Sequence, residues 1–249
     1  MPKLYHLDID EGTHANYALL TGDPQRVEKI AEYLESPCFV ANNREYKTFI
    51  GTIDGVKVLV TSTGIGGPSA AIALEELHML GVHTFIRIGT CGGMQLTVNN
   101  GSLIIPTAAI RMEGTSREYM PLEFPAVADF EVVTALKKAA DRSQNETHIG
   151  IIQSKDSFYG QHSPERMPVG PELMQKWKAW IMGGCLASEM ECAALFTVAS
   201  ILKIRAGAVL LSIWNQEKEK AGMENTMVSE TNQAIETAIE AMRILIHQK

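Results

Sequence analysis

Positive charge is in short supply in this sequence. Its 249 residues carry 22 Lys and Arg against 29 Asp and Glu, a formal net charge of −7. No general attraction therefore draws it to nucleic acid or to an anionic membrane, and an anionic ligand must be met by a few focused cations. Cysteine is scarce as well. Cys38, Cys91, Cys185 and Cys192 show no C-x-x-C spacing, which argues against a zinc site or a disulfide framework and for reduced thiols. No apolar run approaches the roughly 18 residues that span a bilayer. The opening Met1-Pro2-Lys3-Leu4-Tyr5-His6 lacks the apolar core of a signal peptide, so the expected location is cytoplasmic. Internal repeats, low-complexity tracts and linkers rich in Pro, Gly or Ser are missing, and residues 1–249 read as one domain. What is there is an ordinary globular composition, 45% hydrophobic and 20% charged, sufficient for a core without staples.

Short apolar runs alternate with helical patterns. Residues 17–21 read as a strand. Gly22-Asp23-Pro24 follows, with Asp23 placed to cap a helix that starts at Pro24 and runs to about Leu34. Residues 46–53 and 57–62 flank Asp54-Gly55, a hairpin signal. Thr63-Gly64-Ile65-Gly66-Gly67 leads into a helix over 68–80, and strand 84–88 ends in Gly89-Thr90-Cys91-Gly92-Gly93. Further strands are expected at 102–110, 148–154 and 206–213, and helices at 129–142, 172–181, 189–202 and 231–247. This alternation predicts an α/β fold, a mixed, mainly parallel central sheet flanked by helices. Ligands of such sheets bind beyond the carboxyl ends of the strands, where the glycine turns fall.

Two arginines carry the first chemical signal. In Gly22-Asp23-Pro24-Gln25-Arg26, a glycine turn at a helix start exposes backbone N–H groups that suit an anion, and Arg26 adds a cation one turn in. A capped surface helix with a solvated arginine fits the same residues. Arg87 sits inside Thr84-Phe85-Ile86-Arg87-Ile88, a strand otherwise made for burial. A buried guanidinium needs an anion or a carboxylate. Gly89-Thr90 just beyond it favours the anion.

Gly22-Asp23-Pro24-Gln25-Arg26-Val27-Glu28-Lys29-Ile30, Ser62-Thr63-Gly64-Ile65-Gly66-Gly67-Pro68-Ser69, Arg87-Ile88-Gly89-Thr90 and Ser188-Glu189-Met190-Glu191 resemble, in order, the motifs of bacterial uridine phosphorylases. Pro121 to Phe130 and Asp156-Ser157-Phe158-Tyr159 are similar to the same family, and the likeness runs from about His6 to the last helix. The resemblance implies phosphate held by Gly22, Arg26, Arg87 and Thr90, with Arg44 reaching in from a neighbouring subunit. It implies ribose contacts from Glu191, Met190 and Glu189, with His6 meeting the 5′-hydroxyl across the interface. Phe158 would pack on the base, beside Gln161 and Ile213. Glu45, Ile65 and Ser69 match positions that hold a monovalent cation, potassium, at the dimer contact of some relatives. No other metal and no organic cofactor are implied, and the usual assembly is a hexamer built as a trimer of dimers. Glu191 has a warrant of its own: a carboxylate at the start of the apolar run 192–196 can accept two hydrogen bonds from a vicinal diol.

The base end departs from the family. The Gln-x-Arg element after Phe-Tyr is replaced by Gln161-His162-Ser163, and the arginine after the late-strand Asn is Gln216, in Ile213-Trp214-Asn215-Gln216. Lys155 and His162 are placed to meet the uracil carbonyls instead, which marks a variant subclass. Trp214 either narrows the pocket or fills the core behind it. The Asp with which purine phosphorylases of this fold protonate a purine has no counterpart in 210–215. The expectation is reversible phosphorolysis of uridine to uracil and ribose 1-phosphate. The rivals are a purine or broad-specificity phosphorylase and a non-catalytic nucleoside-binding protein.

Overall fold

Asp54 and Gly55 both take positive φ, 50° and 77°, the two-residue turn geometry that matches the twist of paired strands. They fold Tyr46–Ile53 onto Val56–Ser62 in the register Ile53↔Val56. In the computed structural model, which describes residues 3–143 and 145–248, this hairpin belongs to a single sheet. Its strands are β1 (Tyr17–Thr21), β2 (Glu35–Asn43), β3 (Tyr46–Ile53), β4 (Val56–Ser62), β5 (Thr84–Gly93), β6 (Leu103–Met112), β7 (Ala126–Val127), β8 (Thr147–Lys155), β9 (Ala187–Glu189) and β10 (Arg205–Asn215). The helices are α1 (Gln25–Ala31), α2 (Gly67–Met79), α3 (Thr115–Tyr119), α4 (Phe130–Ser143), α5 (Phe158–His162), α6 (Gly170–Met182), α7 (Cys192–Leu202), α8 (Gln216–Lys220) and α9 (Asn232–His247). Met1 and Pro2, part of the stretch read for a leader, lie outside the described residues, and among those no helix is long and apolar enough to cross a membrane.

The strand order is β10-β6-β8-β9-β5-β1-β4-β3-β2, and a further β10–β5 pairing closes five strands into a ring. β1, β4, β5 and β10 run parallel, as do β6, β8 and β9, while β2, β3 and β7 are added antiparallel. The expected mixed α/β sheet is what forms. Central strands are apolar on both faces: Leu19 packs with Val27, Ile30 and the α4–α9 layer, and Leu20 packs with Leu74, Leu77 and the α2–α7 layer. Each such leucine contributes about 1.5–3 kcal/mol when fully buried. α7 is buried from Cys192 to Ala199, which marks it as a core helix rather than an amphipathic one.

One strand was not expected from the sequence, and two helix boundaries need correction. The stretch from Glu35 forms edge strand β2, which tolerates Pro37 because an edge position leaves an N–H unpaired anyway. The helix expected from Glu189 starts at Cys192, because Ala187–Glu189 is strand β9 against β5 and β8. The helix after Gly22 is shorter than expected and ends at Ala31.

Candidate active site

The carboxyl ends of β1, β5 and β8, the loop after β4 and the β9–α7 junction surround a cavity of about 710 Å³. Gly22, Arg26, Arg87, Thr90, Met190, Glu191, Lys155, Phe158, Gln161, His162 and Ile213 line it, together with Glu189 and Ile65. Residues spread over most of the chain thus meet in one place.

At one end stand the two arginines. Asp23 accepts the Gln25 N–H at 2.9 Å, the expected cap, and holds the turn that presents Arg26. Burial pulls the Arg26 guanidinium down, with the charge of Arg87 acting the same way and Asp23 opposing; two cations share this corner. Arg87 is buried and donates to the Glu191 carboxylate, with Glu189 3.7 Å from its Nε. Both readings of the sequence therefore meet in Arg87, for it has carboxylate neighbours and still lacks acceptors at Nε and Nη1. Arg111 supplies the contrast. It is equally buried, but Ser116 Oγ and the carbonyls of Ser116, Met120, Pro121 and Phe124 take its five donors. An arginine built for structure is saturated in this fold, whereas Arg87 keeps capacity for an anion.

Glu191 stands between the two ends. Gly66 takes φ 98°, a conformation that glycine allows, and aims its N–H at the Glu191 carboxylate over 2.6 Å. Burial pushes the Glu191 carboxyl up, against the pull of Arg87. Glu189, which the resemblance puts at the ribose, lines the cavity and is also bound into the local structure. Its carboxylate accepts the N–H groups of Glu191 (2.8 Å) and Cys192 (3.0 Å) and the Ser154 hydroxyl. That makes it the cap of α7.

The other end holds a single lysine among neutral groups. Lys155 is buried, not solvated, and donates to Ser188 Oγ at 2.7 Å. Ser188 also lies 2.5 Å from Gln153 Oε1 and 2.7 Å from Gln161 Oε1, and Gln161 donates to Gln216 at 3.0 Å. Gln216 does not line this cavity but a neighbouring one that shares Lys155 and Gln161 with it, and the two glutamines named from sequence are joined. Phe158 and His162, one turn apart on α5, bring their rings to 4.3 Å, and Trp214 stands 5.7 Å behind His162. Trp214 is half-buried and is not among the residues that line the cavity. A β-bulge against β5 between Ser212 and Trp214 turns Ile213 into the cavity. Asn215 is fully buried; its side-chain Oδ1 accepts the N–H groups of Glu217 and Lys218, and its Nδ2 donates to the carbonyls of Gln95 and Val98.

The model of the phosphorylase superfamily matches residues 16–248. The chain belongs to the phosphorylase superfamily. It is 53% identical to a uridine phosphorylase of Treponema pallidum over 98% of this chain and 95% of the relative. It is 40% identical to a uridine phosphorylase of Escherichia coli over 98% of both. A guanosine phosphorylase of Halorubrum lacusprofundi is 41% identical over 84% of this chain and 82% of its own length.

Several residues named from sequence do not line this superfamily member's own cavity. Arg44 is exposed at the β2–β3 turn with φ 54°. His6 meets Glu76 through its ring at 2.6 Å and its N–H at 3.0 Å, and Asn43 donates to its carbonyl at 2.7 Å. Glu45 packs against Gly64, and Ser69 donates to the Thr63 carbonyl. His6, Arg44 and Glu45 therefore share one side of the chain. Sequence reading missed Glu76, Gln153 and Ser154, each a buried polar residue on a regular element, with no motif to announce it.

Proposed function

We propose that this chain catalyses reversible phosphorolysis of uridine to uracil and ribose 1-phosphate. The observation that carries the reading is the unsaturated Arg87 guanidinium beside Arg26, in the same cavity as the Glu191 carboxylate. Inorganic phosphate is the co-substrate. Gly22, Arg26, Arg87 and Thr90 would hold it, with Arg44 of a second copy completing the site. Glu191 would take the ribose hydroxyls, with Met190 against the sugar and His6 of the second copy at the 5′-hydroxyl. As the glycosidic bond breaks, positive charge on the sugar faces bound phosphate and negative charge moves to the base. Holding phosphate beneath the anomeric carbon is positioning catalysis together with charge stabilisation. Phe158, Gln161, His162, Lys155, Ile213 and Gln216 form the base end. The Asn215 amide is fully engaged in structure, which leaves the late strand no group for a purine nitrogen and favours a pyrimidine.

Assembly as a dimer at least, and as a hexamer by likeness to the family, follows if Arg44 and His6 serve a neighbour's site. Glu45, the Ile65 carbonyl and Ser69 would supply oxygen ligands for a potassium ion at that contact. The Ser69 hydroxyl gives its proton to Thr63 and keeps lone pairs for a hard cation, so the donor set fits. The reduced thiols expected from sequence favour a cytoplasmic setting. The guanosine phosphorylase at 41% identity keeps a purine substrate as the second reading. Incubation with uridine, thymidine and inosine, with and without phosphate, decides. Uracil release only with phosphate is the expected result; inosine cleavage in its place overturns it.

A further inference from the structure

Glu76 lies in the last turn of α2, where a carboxylate opposes the helix dipole, and it is buried. Both features are costly and call for compensating partners. Its two oxygens accept the N–H groups of His6 (3.0 and 3.1 Å) and Leu7 (2.9 Å), and one of them lies 2.6 Å from Nδ1 of the His6 ring. The backbone around His6 is secured without that ring contact. Leu7 and Ile9 are fully buried, the Leu4 N–H donates to the Ile9 carbonyl at 2.8 Å, and Asn43 holds the His6 carbonyl at 2.7 Å. The contact between carboxylate and imidazole therefore has another use.

A carboxylate that receives backbone N–H groups at both oxygens meets the ring as an acceptor, so the ring carries its proton on Nδ1. Nε2 is then the acceptor of the ring. It makes no hydrogen bond among the described residues, and the side chain is partly exposed.

We infer that Glu76 is a positioning residue for the reaction: it fixes the tautomer of His6, so that Nε2 accepts a hydrogen bond from the 5′-hydroxyl of a nucleoside in the neighbouring copy's site. The inference rests on the proposed phosphorolysis of uridine, with His6 serving a second copy, and it states what that site demands at position 5′: a group that donates. Asn43, which holds His6, directly precedes Arg44. One corner of the chain thus presents both residues that would cross to the neighbour.

Exchange of one atom reverses the polarity. In Glu76→Gln the amide oxygen can keep the two backbone N–H groups while the NH2 faces Nδ1 and donates to it. The ring proton then moves to Nε2, which changes from acceptor to donor. A 5′-hydroxyl can turn to suit either form. 5′-Amino-5′-deoxyuridine carries an ammonium at neutral pH, which can only donate.

The test measures kcat/KM for uridine, 5′-deoxyuridine and the 5′-amino nucleoside at neutral pH with saturating phosphate. The wild type should prefer the amino over the deoxy nucleoside about tenfold. Glu76→Gln should abolish or reverse that preference, while uridine loses about threefold. His6→Ala should bring uridine down to the level of 5′-deoxyuridine, and in that background Glu76→Gln should leave the amino-to-deoxy ratio where it is. Equal losses on all three nucleosides in Glu76→Gln overturn the proposal. So does a fall in the ratio that persists without His6, the mark of lost charge alone. If Glu76→Gln fails to fold, nitrogen spectra of the wild type with isotope-labelled histidine decide: a proton on Nδ1 of His6 is expected, and a bare Nδ1 overturns the proposal. A His6→Ala protein that still prefers uridine to 5′-deoxyuridine removes His6 from the 5′ end and overturns the proposal while phosphorolysis stands. A wild type that releases uracil from none of the three in phosphate overturns the underlying reading as well.

Discussion

Arg87 and Glu191, 104 residues apart in sequence, form a buried ion pair while two other nitrogens of the same guanidinium stay without an acceptor. The pair therefore has two jobs, and Arg87→Ala should damage both. Loss of the phosphate contact is expected to lower kcat/KM for phosphate about 100- to 1000-fold. The Glu191 carboxylate is left buried and unpaired, at a cost of about 3–5 kcal/mol in stability. The double variant Arg87→Ala with Glu191→Gln should recover much of the stability and none of the turnover. Steady-state kinetics and denaturant melts separate the two effects. Near-normal activity at low phosphate in Arg87→Ala defeats the assignment of the site.

Glu191 is also the carboxylate placed for a vicinal diol. Glu191→Gln keeps an oxygen for the Gly66 N–H but offers the sugar one acceptor in place of two. Its kcat/KM for uridine is expected to fall about tenfold more than that for 2′-deoxyuridine, since only uridine presents both hydroxyls. Equal losses on the two nucleosides would show that Glu191 does not read the diol.

Glu189 lines the same cavity and does other work. It satisfies two N–H groups at the start of α7 and the Ser154 hydroxyl. Glu189→Ala should cost about 1–3 kcal/mol of stability and lower the melting temperature, while KM for the nucleoside moves little. A large rise in that KM with an unchanged melt would show that Glu189 contacts the ribose.

The arginine end was legible in the sequence because a charge inside an apolar strand is conspicuous, and Arg87 stands alone in Thr84–Ile88. The base end was less so. Gln153 and Ser188 are 35 residues apart and meet only because β8 and β9 pair in that register; no local pattern encodes that pairing. Glu189 was misplaced for a related reason. Three residues of β9 precede α7, and the apolar run that follows extends the helical pattern back over them. β2 escaped notice because it is mostly exposed and contains Pro37, features that read as loop until its edge position is known.

Lys155 makes a prediction on stability that follows from its burial. In the unfolded chain its ammonium titrates near 10.5, and burial brings it to about 8. The unfolded state therefore binds more protons between these values, and wild-type stability gains with rising pH across that window. Below pH 8 the cost of burying the charge is felt in full. Lys155→Met should thus be more stable than the wild type at pH 7, by roughly 1–3 kcal/mol, with the advantage shrinking toward pH 10. Denaturant melts at the two pH values read it directly. A destabilised Met variant at pH 7 would show that the contact with Ser188 outweighs the buried charge.

Arg44 offers a test of the shared site that needs no structure of the assembly. It stands exposed at the β2–β3 turn, outside the cavity that Arg87 lines in the same chain. If each site takes Arg44 from the neighbouring subunit, Arg44→Ala and Arg87→Ala damage one site from two chains. Each variant alone lacks one of the two arginines at every site. A mixed dimer of the two concentrates both lesions in one site and leaves the other with Arg87 from one chain and Arg44 from its partner. Subunits exchanged by mild denaturation and refolding should then show activity well above the sum of the two separate variants. A mixture that stays at that sum, although exchange is demonstrated by differently tagged chains eluting together, places Arg44 outside the catalytic site. The phosphate would then rest on Arg26 and Arg87 of one chain, and association would lose its part in catalysis.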